Sequence, residues 1–366
     1  MATNVLAVLA FVAGAVLVVT TLLSAIMTLV VPRAIPVRIS RAVFMAIRGL
    51  FALRGARARS FQARDRDMAL YGPISLFGLA ATWLVLTGVG YILLFWSLGV
   101  RPLREAIGLS GSSIYTLGFS VPPNLPTTVL AFTEAGVGLT LLAMLISYLP
   151  SMHQSFSRRE AAVAALDVRA DTPPTAATML IRVSRIEGWD RLRDLWRDWE
   201  GWFVDVTETH TSLPALVFFR SPHWQHSWVT ASGAVLDSAS LLASTVDRPR
   251  SPDAELCIRA GYVALRRIAD FFNIEHNDDP HWPDEPISID RREFDQVCKE
   301  LAEAGVPLKT DLDQAWRDFA GWRVNYDRVL LALAALVMAP YAPWSSDRSI
   351  LVRRRPMNHR RTSSSA

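Results

Sequence analysis

Residues 5–31, VLAVLAFVAGAVLVVTTLLSAIMTLVV, carry no charged side chain over 27 positions. At about 1.5 Å per residue, a helix of that length crosses the roughly 30 Å hydrocarbon core of a bilayer. The run is too long for the apolar core of a signal peptide. Two more runs have the same character. Residues 74–100 are uncharged and place Tyr91 and Trp96 near one end, where an interfacial aromatic belt lies; residues 129–149 are apolar apart from Glu134. In lipid the backbone must satisfy its own hydrogen bonds, so such runs cross as helices. The expected fold class is therefore mainly α, a polytopic membrane protein with an N-terminal transmembrane helix over residues 1–32.

Charge sets the expected direction of each crossing. No basic residue precedes the first run, whereas nine arginines lie between Arg33 and Arg66, and Arg158 and Arg159 follow the third. The positive-inside rule then puts the N-terminus outside, the basic segment 33–72 in the cytoplasm, residues 101–128 outside, and everything after Ser151 in the cytoplasm of a multi-pass inner (plasma) membrane protein. Residues 1–150 hold 11 arginines against four acids, while residues 151–345 hold 29 acids against 21 basic residues. The net charge of +4 thus sits beside apolar segments, which points to lipid as a partner and away from nucleic acid. Only Cys257 and Cys298 are present, so no disulfide framework is expected.

Within the basic segment, Val43, Ile47, Leu50 and Phe51 fall along one helical stripe with arginines elsewhere, as in a helix lying at the membrane interface. A voltage sensor is the sharper reading of Arg38 and Arg41, three apart, but sensor charges belong inside a bundle of spans. The interfacial helix is the better expectation.

Residues 101–128 are too short for a domain and too apolar to wave in water. Pro102 suits a first helical position, and helix-compatible residues continue to about Tyr115. Gly108 and Gly111 weaken an isolated helix by about 1 kcal/mol each relative to alanine, so this helix needs packing around it. Non-helical backbone at membrane depth must be buried in protein or line water. A helix followed by an extended stretch, both dipping between two spans, meets that condition.

At Thr116, Leu117, Gly118 and Phe119 the chain resembles the potassium-channel filter, whose usual text reads T-V-G-Y-G-D. The following run, LAFTEAGVGLTLLAMLISYL, is similar to the inner helix of small bacterial members, with Glu134 just inside its outer end and Gly138 four residues on. The resemblance covers residues 70–160 and implies a pore module over residues 73–150, four copies of which surround one pore, hence a homotetramer. It implies that Thr116, Leu117, Gly118, Phe119 and Ser120 line an ion path with carbonyl oxygens that replace a hydration shell, potassium being the expected monovalent cation. Glu134 and Gly138 would support the pore helix and its gating. Ser120 stands where the family has its second glycine, and Val121-Pro122-Pro123 where it has aspartate. A serine there either accepts a left-handed backbone at about 1 kcal/mol or moves its carbonyl away. The departures imply relaxed selectivity, with Glu105 as a substitute brace for the absent aspartate.

Beyond the spans, residues 151–175 read as a helical linker, 176–345 as a helical cytoplasmic domain, and 346–366 as a basic disordered tail. WRDWEGWFVDV from Trp196 recurs as WRDFAGWRVNY from Trp316, and the ungapped match continues through LPALV and LAALV with 10 identities over 22 positions. This predicts two related units, each an aromatic amphipathic helix leading into a more apolar one, about an approximate twofold. The run VLLALAALVM is short of a span and reads as a buried helix, with a fourth crossing as the alternative. HWQH and EHNDDPHW gather ligand-type residues in turns, where they read as ordinary solvated side chains and not as a metal site. The amphipathic stretch SPDAELCIRAGYVALRRIADFF is a candidate wall of a binding groove. No phosphate loop or nucleophile elbow occurs, so no enzyme, cofactor or metal is expected. The expectation is a cation-channel subunit with a cytoplasmic regulatory domain; the alternative is a non-conducting membrane scaffold or sensor built on the same core.

Overall fold

The computed structural model describes residues 2–31, 38–55 and 61–348. Arg33, Arg57 and Arg59 of the basic segment and the tail after Arg348 lie outside the described residues. The protein is mainly helical, 75% helix, with no strand among the described residues. The chain divides into two compact units between Gln154 and Ser155.

Unit 1 contains α1 (Ala2–Leu29), α2 (Arg38–Gly55), α3 (Phe61–Ala69), α4 (Tyr71–Ser97), α5 (Leu103–Ile114) and the first part of α6 (Leu125–Ala170). Three helical stretches, Val5–Leu29, Phe61–Ser97 and Leu125–Ala170, are long and apolar enough to cross a membrane, which marks the chain as a membrane protein. Lipid tails are as apolar as leucine, so such helices associate through close packing and a few polar contacts. The pairing of α1 with α4 uses both. A Cβ on Gly14 would stand 2.6 Å from the Gly90 carbonyl oxygen, and one on Gly90 would stand 2.6 Å from Val18 Cγ2. Lower down, Trp83 donates its indole N–H to Ser24 Oγ at 3.1 Å.

The basic segment forms α2, and Ile47 fills the space above Gly78 of α4, where a Cβ would lie 2.7 Å from Ile47 Cδ1. The expected stripe is shifted by part of a turn. Phe44 faces inward, its carbonyl accepting from Tyr71 Oη at 3.1 Å, whereas Leu50 is 66% exposed. The sequence stripe counted Leu50 where Phe44 belongs.

Unit 2 holds the end of α6 and α7 (Ala176–Arg182), α8 (Leu192–Ser212), α9 (Trp228–Ser244), α10 (Pro252–Phe271), α11 (Arg291–Glu303), α12 (Leu312–Arg323) and α13 (Asp327–Val337). Helix α6 ends where Asp171 turns left-handed at φ 66°, ahead of Pro173 and Pro174. The chain restarts with the Thr175 hydroxyl capping α7 through the Thr178 N–H at 3.2 Å. Helix α9 is the centre of the unit, buried along all but one of its residues. Three of its four serines return their hydroxyls to its own carbonyls, such as Ser232 to Trp228 at 2.7 Å and Ser238 to Ala234 at 2.6 Å, and Ser240 pairs with Tyr326 Oη at 2.9 Å, so they bring no unsatisfied donor into the core. Gly261 lets α10 approach: a Cβ there would meet Leu236 of α9 at 2.4 Å and Phe203 of α8 at 3.0 Å. The candidate groove helix SPDAELCIRAGYVALRRIADFF is α10, and its apolar stripe is spent on α8 and α9. Burial pushes both thiols up, Cys298 to about 12, and leaves them unreactive.

The repeat shares a burial pattern more than a local structure. Trp196, Trp199 and Phe203 of α8 match Trp316, Phe319 and Arg323 of α12. Helix α8 runs unbroken to Ser212, but its counterpart stops at Arg323 and α13 begins at Asp327. LPALV forms a 3₁₀ turn, Pro214–Phe218, where LAALV is the end of α13. Pro214 lacks the N–H that a continuing helix needs, so the expected second apolar helix of the first copy does not form. The copies also pack differently, α8 on α10 and α12 on α9. Helix α13 has 11 residues, about half a bilayer core, and is buried in unit 2.

Candidate functional site

The segment singled out in the sequence, residues 112–123, lies in unit 1 between α4 and α6. Helix α5 starts at Leu103, with Pro102 at its N-cap and not at the first helical position. Arg101 lies over the Trp96 ring at 4.4 Å. Helix α5 ends at Ile114, and Tyr115 closes its last turn by donating to the Gly111 carbonyl. The chain then reverses on two left-handed residues, Thr116 at φ 55° and Gly118 at φ 71°. Glycine takes that conformation freely and threonine does not, so the strain sits at Thr116.

One residue organises the reversal. The Ser112 carbonyl accepts from Leu117 N at 2.8 Å, and its hydroxyl accepts from Ser120 N at 3.1 Å. Ser112 is buried. The extended stretch therefore hangs from the last turn of α5 at both of its ends. Ser120 is not among the residues with positive φ, so the left-handed cost expected there does not arise. Glu105, the expected substitute brace, is exposed in the first turn of α5, at the far end from Ser120. Ser112 holds the position instead. Its signal in the sequence is the cluster of hydroxyls, Ser110, Ser112 and Ser113, in a short helix between two span-length helices.

Glu134 and Gly138 of α6 sit behind α5. Glu134 is fully buried, and its Oε1 is 2.5 Å from Ser110 Oγ, which also lies 3.2 Å from the Gly88 carbonyl of α4. The three helices meet at this hydroxyl. Ser110 Oγ has one proton to give, and the shorter of the two contacts directs it to Glu134 Oε1. Glu134 Oε2 is buried with no hydrogen-bond partner, as is Thr87 Oγ1. One turn on, a Cβ at Gly138 would stand 2.4 Å from the Ile114 carbonyl oxygen, so only glycine admits the end of α5 there. Both residues thus contact α5, and their contacts are with Ser110 and Ile114, not with residues 116–120.

Leu117, Phe119 and Val121 are 64%, 66% and 86% exposed in the single subunit, with Tyr115 and Leu125 bare on either side.

The ligand-type residues of unit 2 do not assemble into a metal centre: no group of three or more His, Cys, Asp or Glu side chains converges among the described residues. The His223 and His226 rings stack edge to face at 5.2 Å, and His226 Nε2 lies 3.6 Å from Asp167. His276, expected to be solvated, is buried with Nδ1 3.2 Å from the Ile274 carbonyl.

Comparison of the chain with protein families, curated proteins and solved structures found no match to any of the three.

Proposed function

We propose that the chain is one subunit of a homotetrameric cation channel in the inner (plasma) membrane, with its N-terminus outside and unit 2 in the cytoplasm as the regulatory domain. The observation that carries the reading is the suspended stretch 116–120. It is tied at both ends to Ser112, held between two span-length helices, and flanked by apolar side chains that an isolated subunit leaves bare. Sister copies would cover those side chains and bring four stretches of carbonyls, from Thr116 to Ser120, to one axis. The C-terminal end of α5 adds the negative end of a helix dipole near the same place. Potassium is the expected ion, with selectivity relaxed because Ser120 and Val121 replace glycine and aspartate.

The alternative is a scaffold or sensor that assembles through the same module without conducting. What favours it is the Ser120 N–H, which is committed to Ser112 and so fixes the outer end of the stretch in a conformation that a filter glycine would not need. Rubidium uptake into liposomes containing the purified chain separates the two. Conduction predicts uptake that Gly118→Asp abolishes while the oligomer persists. Intact oligomers of the unaltered chain without uptake would establish the scaffold.

A further inference from the structure

Unit 2 contains a cleft of about 450 Å³, within the range of ligand-binding pockets. Its walls come from distant parts of the sequence: the start of α7, the middle of α9, one face of α11 and the segment after α13. The lining carries three carboxylates, Asp237, Glu293 and Glu300, against one guanidinium, Arg292.

Asp237 differs from the others. It is the only charged residue of α9 and is 2% exposed, yet it borders the cleft. Its Oδ1 accepts from both Arg323 Nη1 and Tyr326 Oη, the latter at 2.9 Å, and Oδ2 takes neither bond. Arg323, wholly buried, is shared with a second carboxylate, donating through Nε to Asp327 Oδ1 at 2.7 Å, and it also donates to the Trp344 carbonyl. One guanidinium therefore faces two carboxylates. Burial raises the Asp237 carboxyl above its ordinary range even with Arg323 beside it. Arg323 is thus divided between Asp237 and Asp327, and Arg292 is the one cation in the cleft lining.

We infer that this cleft binds a small organic amine as its cation, with an ammonium head on Asp237 and an apolar body against Ala234, Val297 and Trp344. Trp344 offers an aromatic surface to such a head. Glu293 is already paired, Oε1 with Arg348 and Oε2 with the Asp290 N–H, so the second head of a dication would meet Glu300 at the rim. The apolar walls and the absence of three converging ligand side chains among the described residues disfavour a bare metal ion. This site stands apart from the pore reading and does not depend on it.

The test uses the full chain in detergent with 1,4-diaminobutane as probe, 1,4-butanediol as the uncharged control of the same length, and sodium chloride at matched ionic strength. The diamine is expected to raise the thermal midpoint in a saturable way, and the diol and salt are not. Glu300→Lys, an exposed rim change, should weaken the apparent affinity about tenfold. Asp237→Asn should abolish the shift; Ala234→Leu, which fills the cleft and leaves every charge in place, should do the same if the Asn variant folds poorly. An equal shift with diol or salt, no shift with the diamine, or a shift unchanged in Glu300→Lys and Ala234→Leu would overturn the inference.

Discussion

At the scale of single residues, the membrane unit turns on two hydroxyls of one short helix. Ser112 suspends the stretch that follows it, and Ser110 joins α4, α5 and α6 through Gly88 and Glu134. The contact between Ser110 and Glu134 gives a specific prediction. A glutamine keeps a carbonyl oxygen that accepts from Ser110 and a similar volume, so Glu134→Gln should change the thermal midpoint of the protein little. Glu134→Ala leaves Ser110 short of a partner and opens a gap, at a cost of about 2 kcal/mol or more. Thermal unfolding of the two variants checks this: a Gln variant as unstable as the Ala variant would mean that the carboxyl is bound there as an anion. The resemblance led to Glu134 and Gly138 as supports of the helix now seen as α5, and the structure adds the contacts of Glu134 with Ser110 and of Gly138 with Ile114. Sequence reading did not find Ser112, because a serine's role depends on which backbone group comes within about 3 Å of it, and no periodicity encodes that.

At the scale of elements, helices with a strong external constraint were the legible ones. The two uncharged runs became α1 and α4 with ends moved by a few residues, and the third run lies inside α6, which continues to Ala170, since a bilayer demands length and apolarity that any reading of composition detects. Helix α9 left no such trace. It is buried all round, so it has no amphipathic stripe, and its serines and alanines make it look like a loop. The usable signal was its single charge: one aspartate in 17 otherwise uncharged residues has to find a partner if the segment is buried. The repeat was legible as sequence and misleading as structure, because Pro214 and the break after Arg323 end corresponding helices at different points. For the α1–α4 pair, Gly90→Leu should force the helices apart where a Cβ already meets Val18 at 2.6 Å. The expected outcome is loss of the folded protein on size exclusion or a marked fall in its thermal midpoint, whereas Gly49→Leu, with open space around its Cβ, should behave as the parent. Equal behaviour of the two variants would show that close approach does not hold this pair together.

At the scale of the whole molecule, the chain joins a unit with three span-length helices to a helical unit with its own aromatic core and its own cleft. In the proposed assembly the suspended stretches of four copies share one axis. A nitroxide on Val121→Cys, with Cys257 and Cys298 buried and unreactive, measures this directly by electron–electron dipolar spectroscopy on the detergent-solubilised chain. A fourfold assembly predicts two inter-subunit distances in a ratio of about 1.4, the diagonal and side of a square. A single distance, or no inter-subunit distance at all, would rule out a fourfold axis through these stretches.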